Sequence, residues 1–165
     1  MKKGKILAAL LVTFASSTAM AGSATSNFQA SAVLEGSCTL TATNVDFGTI
    51  NQSEATNGTG TITYICSKSV PYYVTINAGS YGSVAARKMA GAVAGNTDKL
   101  AYNLYADAAT QIIVSGNRYG GDGGFSYSGD GTGKVETITV YGKVESGQYI
   151  KPDTYADNLT VSVYY

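Results

Sequence analysis

The constraint that most narrows the fold is a period of two. In "TGTITYIC" one face carries Ile62, Tyr64 and Cys66, and the other carries Thr61, Thr63 and Ile65. "VPYYVTINAG" alternates Val70, Tyr72, Val74 and Ile76, with Pro71 marking a strand start or an edge. "KLAYNLYAD" groups Leu100, Tyr102 and Leu104, and "ETITVYGKV" groups Ile138, Val140, Gly142 and Val144. Successive residues of a strand point to opposite faces, so this pattern belongs to half-buried strands. Frequent threonine and valine with 13 tyrosines suit a pleated, half-wet sheet. The stretch "GSVAARKMAGAVAG" is alanine-rich and reads mainly as loop, with a short strand around Arg87 to Met89. Short strands separated by glycine-, asparagine- and serine-rich turns predict an all-β sandwich of immunoglobulin-like kind.

The first residues have another purpose. Lys2, Lys3 and Lys5 precede an apolar run from Ile6 to Phe14, which closes on the small-x-small pattern Ala19-Met20-Ala21. This is the pattern of a secretory signal peptide over residues 1–21, with cleavage expected after Ala21. The run is too short for a membrane span, and no second candidate follows, so no membrane span is expected after cleavage. Removing three lysines from 11 basic residues leaves eight against 11 acidic ones, a net charge of −3. That mildly acidic balance, without a basic run, gives no footing for nucleic acid.

Two cysteines remain, Cys38 and Cys66, and an even count in an exported chain predicts one disulfide between them. With no histidine anywhere, two isolated thiolates do not make a zinc site, and neither a Ser-His-Asp nor a Cys-His arrangement can form. "GFSYSG" resembles a nucleophile elbow until Ser128 stands where the last glycine belongs. "SGDGTGKV" departs from a phosphate-binding loop at Ser128 and Val135. The glycine-rich residues 120–133 fit neither calcium-loop spacing, and read as a surface loop or hairpin connection. Asp46, Asp98, Asp107, Asp122, Asp130, Asp153 and Asp157 fall mostly at expected turns, where aspartate bonds nearby backbone. No enzyme, metal or cofactor is expected.

The segment "YADNLTVSVYY" puts Leu159, Val161, Val163 and Tyr165 on one face of a strand that ends the sequence without the charge or proline that usually blunts an edge. Near the other end, "ATSNFQASAVL" keeps Ala24, Ser26, Phe28, Ala30, Ala32 and Leu34 in one alternating register. The part nearest Cys38 can serve as a first strand of the domain. The part before it is an extension that a compact domain does not need, and it reads as a strand made for another molecule.

Further residues carry a family resemblance. "GSCTL", "VDFGTI", "GTITYICS", "YYVTINAGSYG", "ARKM", "DKLAYNLYAD" and "ITVYGKVESGQYIKPDTYADNLTVSVYY" together resemble the spore coat protein U domain family, from about Ser37 to Tyr165. That family includes pilus subunits of archaic chaperone–usher systems. The resemblance implies an incomplete immunoglobulin-like β-sandwich that lacks its last strand and is completed by donor-strand exchange. It divides the chain into a signal peptide (1–21), a donor-strand extension (22–33) and a pilin-type domain (34–165). Leu159, Val161 and Val163 would line the acceptor groove, and Ala24, Ser26, Phe28 and Ala30 would belong to the donor. The implied partners are a periplasmic chaperone, an outer-membrane usher, and identical or related subunits joined head to tail. The implied location is the cell surface, reached through the periplasm, with a role in surface attachment and biofilm formation.

One position departs from the family pattern. Asp153 stands where relatives commonly place glycine ahead of "x-Y-x-D", and aspartate is expected to keep the turn by tolerating a left-handed backbone. Two alternatives stand beside the pilus reading. One is a secreted spore-coat or other surface structural protein that does not polymerise. The other is a carbohydrate-binding sandwich that uses its tyrosines and the glycine-rich loop.

Overall fold

The computed structural model describes residues 22–110, 114–117, 122 and 124–165, so the expected signal peptide and its Ala21 cleavage point lie outside the described residues. The chain divides into two units, Met1–Val33 and Leu34–Tyr165. In the first, residues 22–33 form no strand, and Phe28 is 93% exposed.

In the second unit every regular element among the described residues is a strand. They are β1 (Cys38–Ala42), β2 (Thr56–Cys66), β3 (Pro71–Ile76), β4 (Arg87–Gly91), β5 (Lys99–Tyr105), β6 (Tyr127–Asp130), β7 (Glu136–Val144), β8 (Tyr155–Ala156) and β9 (Val161–Tyr164). Six form a sheet in the order β1-β2-β7-β5-β4-β8, and three form a second in the order β6-β3-β9. Every strand pairing is antiparallel. One apolar cluster draws on both sheets: Ile62, Tyr64, Leu100, Leu104, Ile138 and Val140 from the larger, Tyr72, Val74 and Ile76 from the smaller. These are the residues that the period of two places inward.

Glycines shape the middle of the larger sheet. Gly58 of β2 lies opposite Gly142 of β7, with Gly60 beside them. A Cβ at Gly142 would sit 2.7 Å from both Phe47 Cζ and a Val45 methyl, and one at Gly60 would sit 2.8 Å from Val45. The missing side chains are replaced by those of Val45 and Phe47, which leave the sheet after β1 and pack over it. Phe47 meets Tyr102 edge-on at 6.1 Å. This is the physical content of the "VDFG" motif: two apolar plugs for a glycine gap.

Arg87 is fully buried at the start of β4. Its Nε donates to Asn77 O at 3.1 Å, Nη1 to Val84 O and Asn103 Oδ1 at 2.9 Å each, and Nη2 to Ile76 O at 2.9 Å and Val114 O at 3.0 Å. All five guanidinium donors are used, and every acceptor is uncharged. Burial lowers the guanidinium's pKa, while Tyr102, Asp122 and Asp157 act to raise it.

Cys38 and Cys66 are bonded, and lie directly opposite each other where β1 meets β2. Asp153 departs from expectation. Its backbone does not take a positive φ, which among non-glycine described residues is found at Ser69 and Thr110. Instead its carboxylate accepts from the N–H groups of Val93 (3.0 Å) and Thr154 (2.7 Å) and from Asn96 Nδ2 (2.6 Å). The turn is kept by side-chain bonding and not by a left-handed residue.

Two stability predictions follow from this interior. Replacing both cysteines by serine is expected to cost about 3–4 kcal/mol, since the bond closes a 28-residue separation. Urea unfolding of the two proteins measures it. Arg87→Met would remove five hydrogen bonds, four of them buried. Asn103 Oδ1 keeps Leu104 N–H as a donor, and each acceptor left unsatisfied costs about 1–3 kcal/mol, against a total domain stability of about 5–15 kcal/mol. The substitution is expected to yield no folded protein; a soluble variant with wild-type melting would show that other donors replace the guanidinium.

Candidate functional site: an open cleft beside β9

Among the described residues strand β9 is an edge: it pairs with β3 alone, in the register Ile76↔Val161 and Val74↔Val163. Which backbone groups face outward follows from the next rung. Asn77 N–H donates to Thr160 O at 3.0 Å, so Thr160 turns its polar backbone toward β3. Backbone direction alternates along a strand. Val161 and Val163, and Leu159 where the same alternation continues, therefore aim their N–H and C=O groups away from β3. The same three residues are half-buried, with side chains packed on the core.

Beside this edge a cleft of about 1400 Å³ opens into the interior. One wall is formed by residues 42–52, which carry Val45 and Phe47, and the other by residues 150–159. Its floor holds Ile62, Ile76, Met89, Leu100, Leu104 and Val140. Leu159 and Val161 line the cleft; Val163 lies beyond it, beside Val74. The floor residues are core residues, so the cleft is an uncovered side of the hydrophobic core. Ala24, Ser26, Phe28 and Ala30 belong to the first unit and are exposed there.

Several polar groups around the cleft are already engaged. Tyr102 O–H donates to Asp157 Oδ2 at 2.8 Å, and Asp157 Oδ1 accepts from Ser80 N–H at 2.8 Å. Burial, reinforced by Asp157, pushes the Tyr102 hydroxyl well above the usual tyrosine range, so it remains a donor. The bond from Asn96 holds Asp153 below the ordinary carboxylate range, despite some desolvation. Asp46 accepts from Gly48 N–H, and Asp98 from Lys151 N–H. Asp46 closes a local turn, whereas Asp98, Asp153 and Asp157 tie together segments far apart in the sequence. Among the described residues no group of three or more His, Cys, Asp or Glu could hold a metal ion.

In the glycine-rich stretch, Tyr127–Asp130 form β6, while Gly131 N–H donates to Val70 O and Gly133 N–H to Cys66 O. Gly120, Gly121 and Gly123 lie outside the described residues. Asp122 accepts from Ser115 Oγ, Gly116 N–H and Gly124 N–H. Burial alone would raise its pKa, but these bonds bring it below the usual range.

Sequence reasoning gave no bonding role to Arg87 or Asn77, although Arg87 joins five acceptors and Asn77 meets Thr160 just past β3. Asn77 sits in "TINAG", where it reads as a turn residue, and its contact with Thr160 spans 83 positions. No local pattern signals such a contact.

No helix among the described residues is long and apolar enough to cross a membrane. The chain is 32% identical over 173 aligned positions to "Protein U" of Myxococcus xanthus, covering 94% of this chain and 92% of that protein. It is similar in structure, with a TM-score of 0.57 and 18% identity, to a chain in the CsuC–CsuE chaperone–tip adhesion subunit pre-assembly complex from archaic chaperone–usher Csu pili of Acinetobacter baumannii. That likeness covers 79% of this chain and 40% of the other, and it shows the fold: an incomplete immunoglobulin-like sandwich. Residues 24–162 match the Spore Coat Protein U domain, and with the glycine-gap plug, the disulfide and the open edge in place, the chain is a member of the Spore Coat Protein U domain family.

Proposed function

We propose that the protein is a structural, non-enzymatic subunit of an archaic chaperone–usher pilus, assembled head to tail by donor-strand complementation. The observation that carries this reading is the core left open beside an edge strand whose inward side chains and outward backbone belong to the same three residues, Leu159, Val161 and Val163. An added strand would gain ladder hydrogen bonds and apolar burial at once, which is the physics of strand addition. In the periplasm a chaperone strand would occupy the cleft, and after delivery to the outer-membrane usher the 22–33 segment of a neighbouring subunit would replace it. A head-to-tail interface of this kind does not close, so it generates a filament. The fibre would be displayed at the cell surface and support attachment and biofilm formation.

A second reading is kept by the 32% identity to Protein U over nearly the whole of both chains. In it the domain is a secreted coat or surface protein that does not polymerise. Mature protein made with and without residues 22–33, run unboiled on a denaturing gel, separates the two. A heat-sensitive ladder that needs the segment supports the pilus. A folded monomer in both cases supports the coat protein.

Within the segment, Ala24, Ser26, Phe28 and Ala30 share one face, and a single large side chain stands among them. Burying a phenylalanine contributes about 1.5–3 kcal/mol, and alanine less. Phe28→Ala is expected to reduce the ladder more than any other substitution in residues 22–33. Equal assembly by Phe28→Ala and wild type would refute that ranking.

A further inference from the structure

We infer that Asn77 is the positioning residue that presents β9 for strand addition, an inference that rests on the reading of β9 as an acceptor edge. In an ordinary antiparallel rung, the residue facing Thr160 would give both its backbone N–H and its backbone C=O to Thr160. Asn77 gives only the N–H, at 3.0 Å. Its C=O is taken by Arg87 Nε at 3.1 Å. The Asn77 side chain supplies the missing acceptor: Thr160 N–H donates to Asn77 Oδ1 at 3.0 Å. The same Oδ1 accepts from Gly79 N–H at 3.1 Å, which turns the chain away at the end of β3.

The rung therefore closes through a side chain. Two demands meet at Asn77: the buried guanidinium needs a carbonyl, and the edge needs its last rung. A residue with a short side-chain acceptor meets both. The consequence falls on Leu159 and Val161, the two β9-side residues that line the cleft, because they flank Thr160. With Thr160 held at both N and O, the polar groups of Leu159 and Val161 are aimed at the open side. Without the Oδ1 acceptor, Thr160 N–H is free to rotate, and the rung nearest the cleft frays. An incoming strand then has to order that edge before it can pair.

The test uses the mature full-length chain as wild type, Asn77→Ala, Asn77→Asp and Thr160→Pro. Asn77→Asp keeps an acceptor at Oδ1, Asn77→Ala removes it, and Thr160→Pro removes the donor. Amide exchange of Thr160 is read by NMR in the monomer for the three variants that retain this N–H. It is expected to be about fivefold to tenfold faster in Asn77→Ala, as one lost hydrogen bond dictates, and close to wild type in Asn77→Asp. Formation of the heat-sensitive ladder is expected to slow by a similar factor in Asn77→Ala and Thr160→Pro, and to recover in Asn77→Asp. A purely structural role would lower the melting temperature without separating alanine from aspartate in the ladder rate. Equal Thr160 exchange in wild type and Asn77→Ala overturns the inference. Should Asn77→Ala not fold, a wild-type ladder rate in Thr160→Pro overturns it equally. A wild-type chain that forms no ladder overturns the acceptor reading itself; the two failures are distinct because exchange is read in the monomer.

Discussion

A fully buried arginine with no carboxylate on its guanidinium organises this domain. Removing a charge from water is costly unless hydrogen bonds replace those of water, and Arg87 meets that cost with five uncharged acceptors. They come from the end of β3 (Ile76), the residue after it (Asn77), the approach to β4 (Val84), β5 (Asn103) and the segment after β5 (Val114). The smaller sheet is thus tied to the larger where β3 ends, at the Ile76 side of the cleft. Directional bonds to one guanidinium do there what apolar packing does elsewhere. They also explain why Asn103 is buried although it alternates with the inward Leu100, Tyr102 and Leu104: it donates to Ala85 O while accepting from Arg87.

The fold was legible wherever burial follows the pleat. The inward residues of β2, β3, β5 and β7 are those that alternation selects, and the Cys38–Cys66 bond follows from cysteine count and export. Legibility failed where a side chain from far along the chain substitutes for a local one. β2 begins at Thr56, three residues before the "TGTITYIC" segment in which alternation was read. Glycines weaken strands, yet Val45 restores the burial that Gly58 and Gly60 lack. β4 runs to Gly91, past the short strand expected around Arg87 to Met89, because Gly91 pairs with Tyr155 of β8.

The edge shows the same division. That Leu159, Val161 and Val163 share a face was readable from spacing, since only the period of two was needed. That β9 begins formally at Val161, with Leu159 and Thr160 outside it, was not. The rung at Thr160 is closed by an asparagine side chain, so the backbone pattern that defines a strand stops one rung early while the geometry continues. Local propensity reports on backbone preference and cannot report such a replacement.

The uncovered core sets a balance that the composition of residues 22–33 clarifies. A sandwich open on one side gives up part of the burial that opposes chain entropy, so it gains from any strand that fits. On the proposed reading, a donor presenting Ala24, Ser26, Phe28 and Ala30 inward offers little side-chain area, and the ladder must supply much of the gain. Ladder bonds are nearly blind to sequence: a slip of two residues preserves both the bonds and the inward face. Small alanines would not resist such a slip, whereas one phenylalanine would, because a single large side chain fills a pocket in one register only. Thr25, Asn27, Gln29 and Ser31 would occupy the opposite face of that strand and are all polar. They would be wet after addition, so a one-residue slip would bury them and expose Phe28. On the proposed reading, an edge fixed by Asn77 and a donor carrying one large residue would be two halves of one solution, in which backbone supplies the strength and a single ring supplies the register.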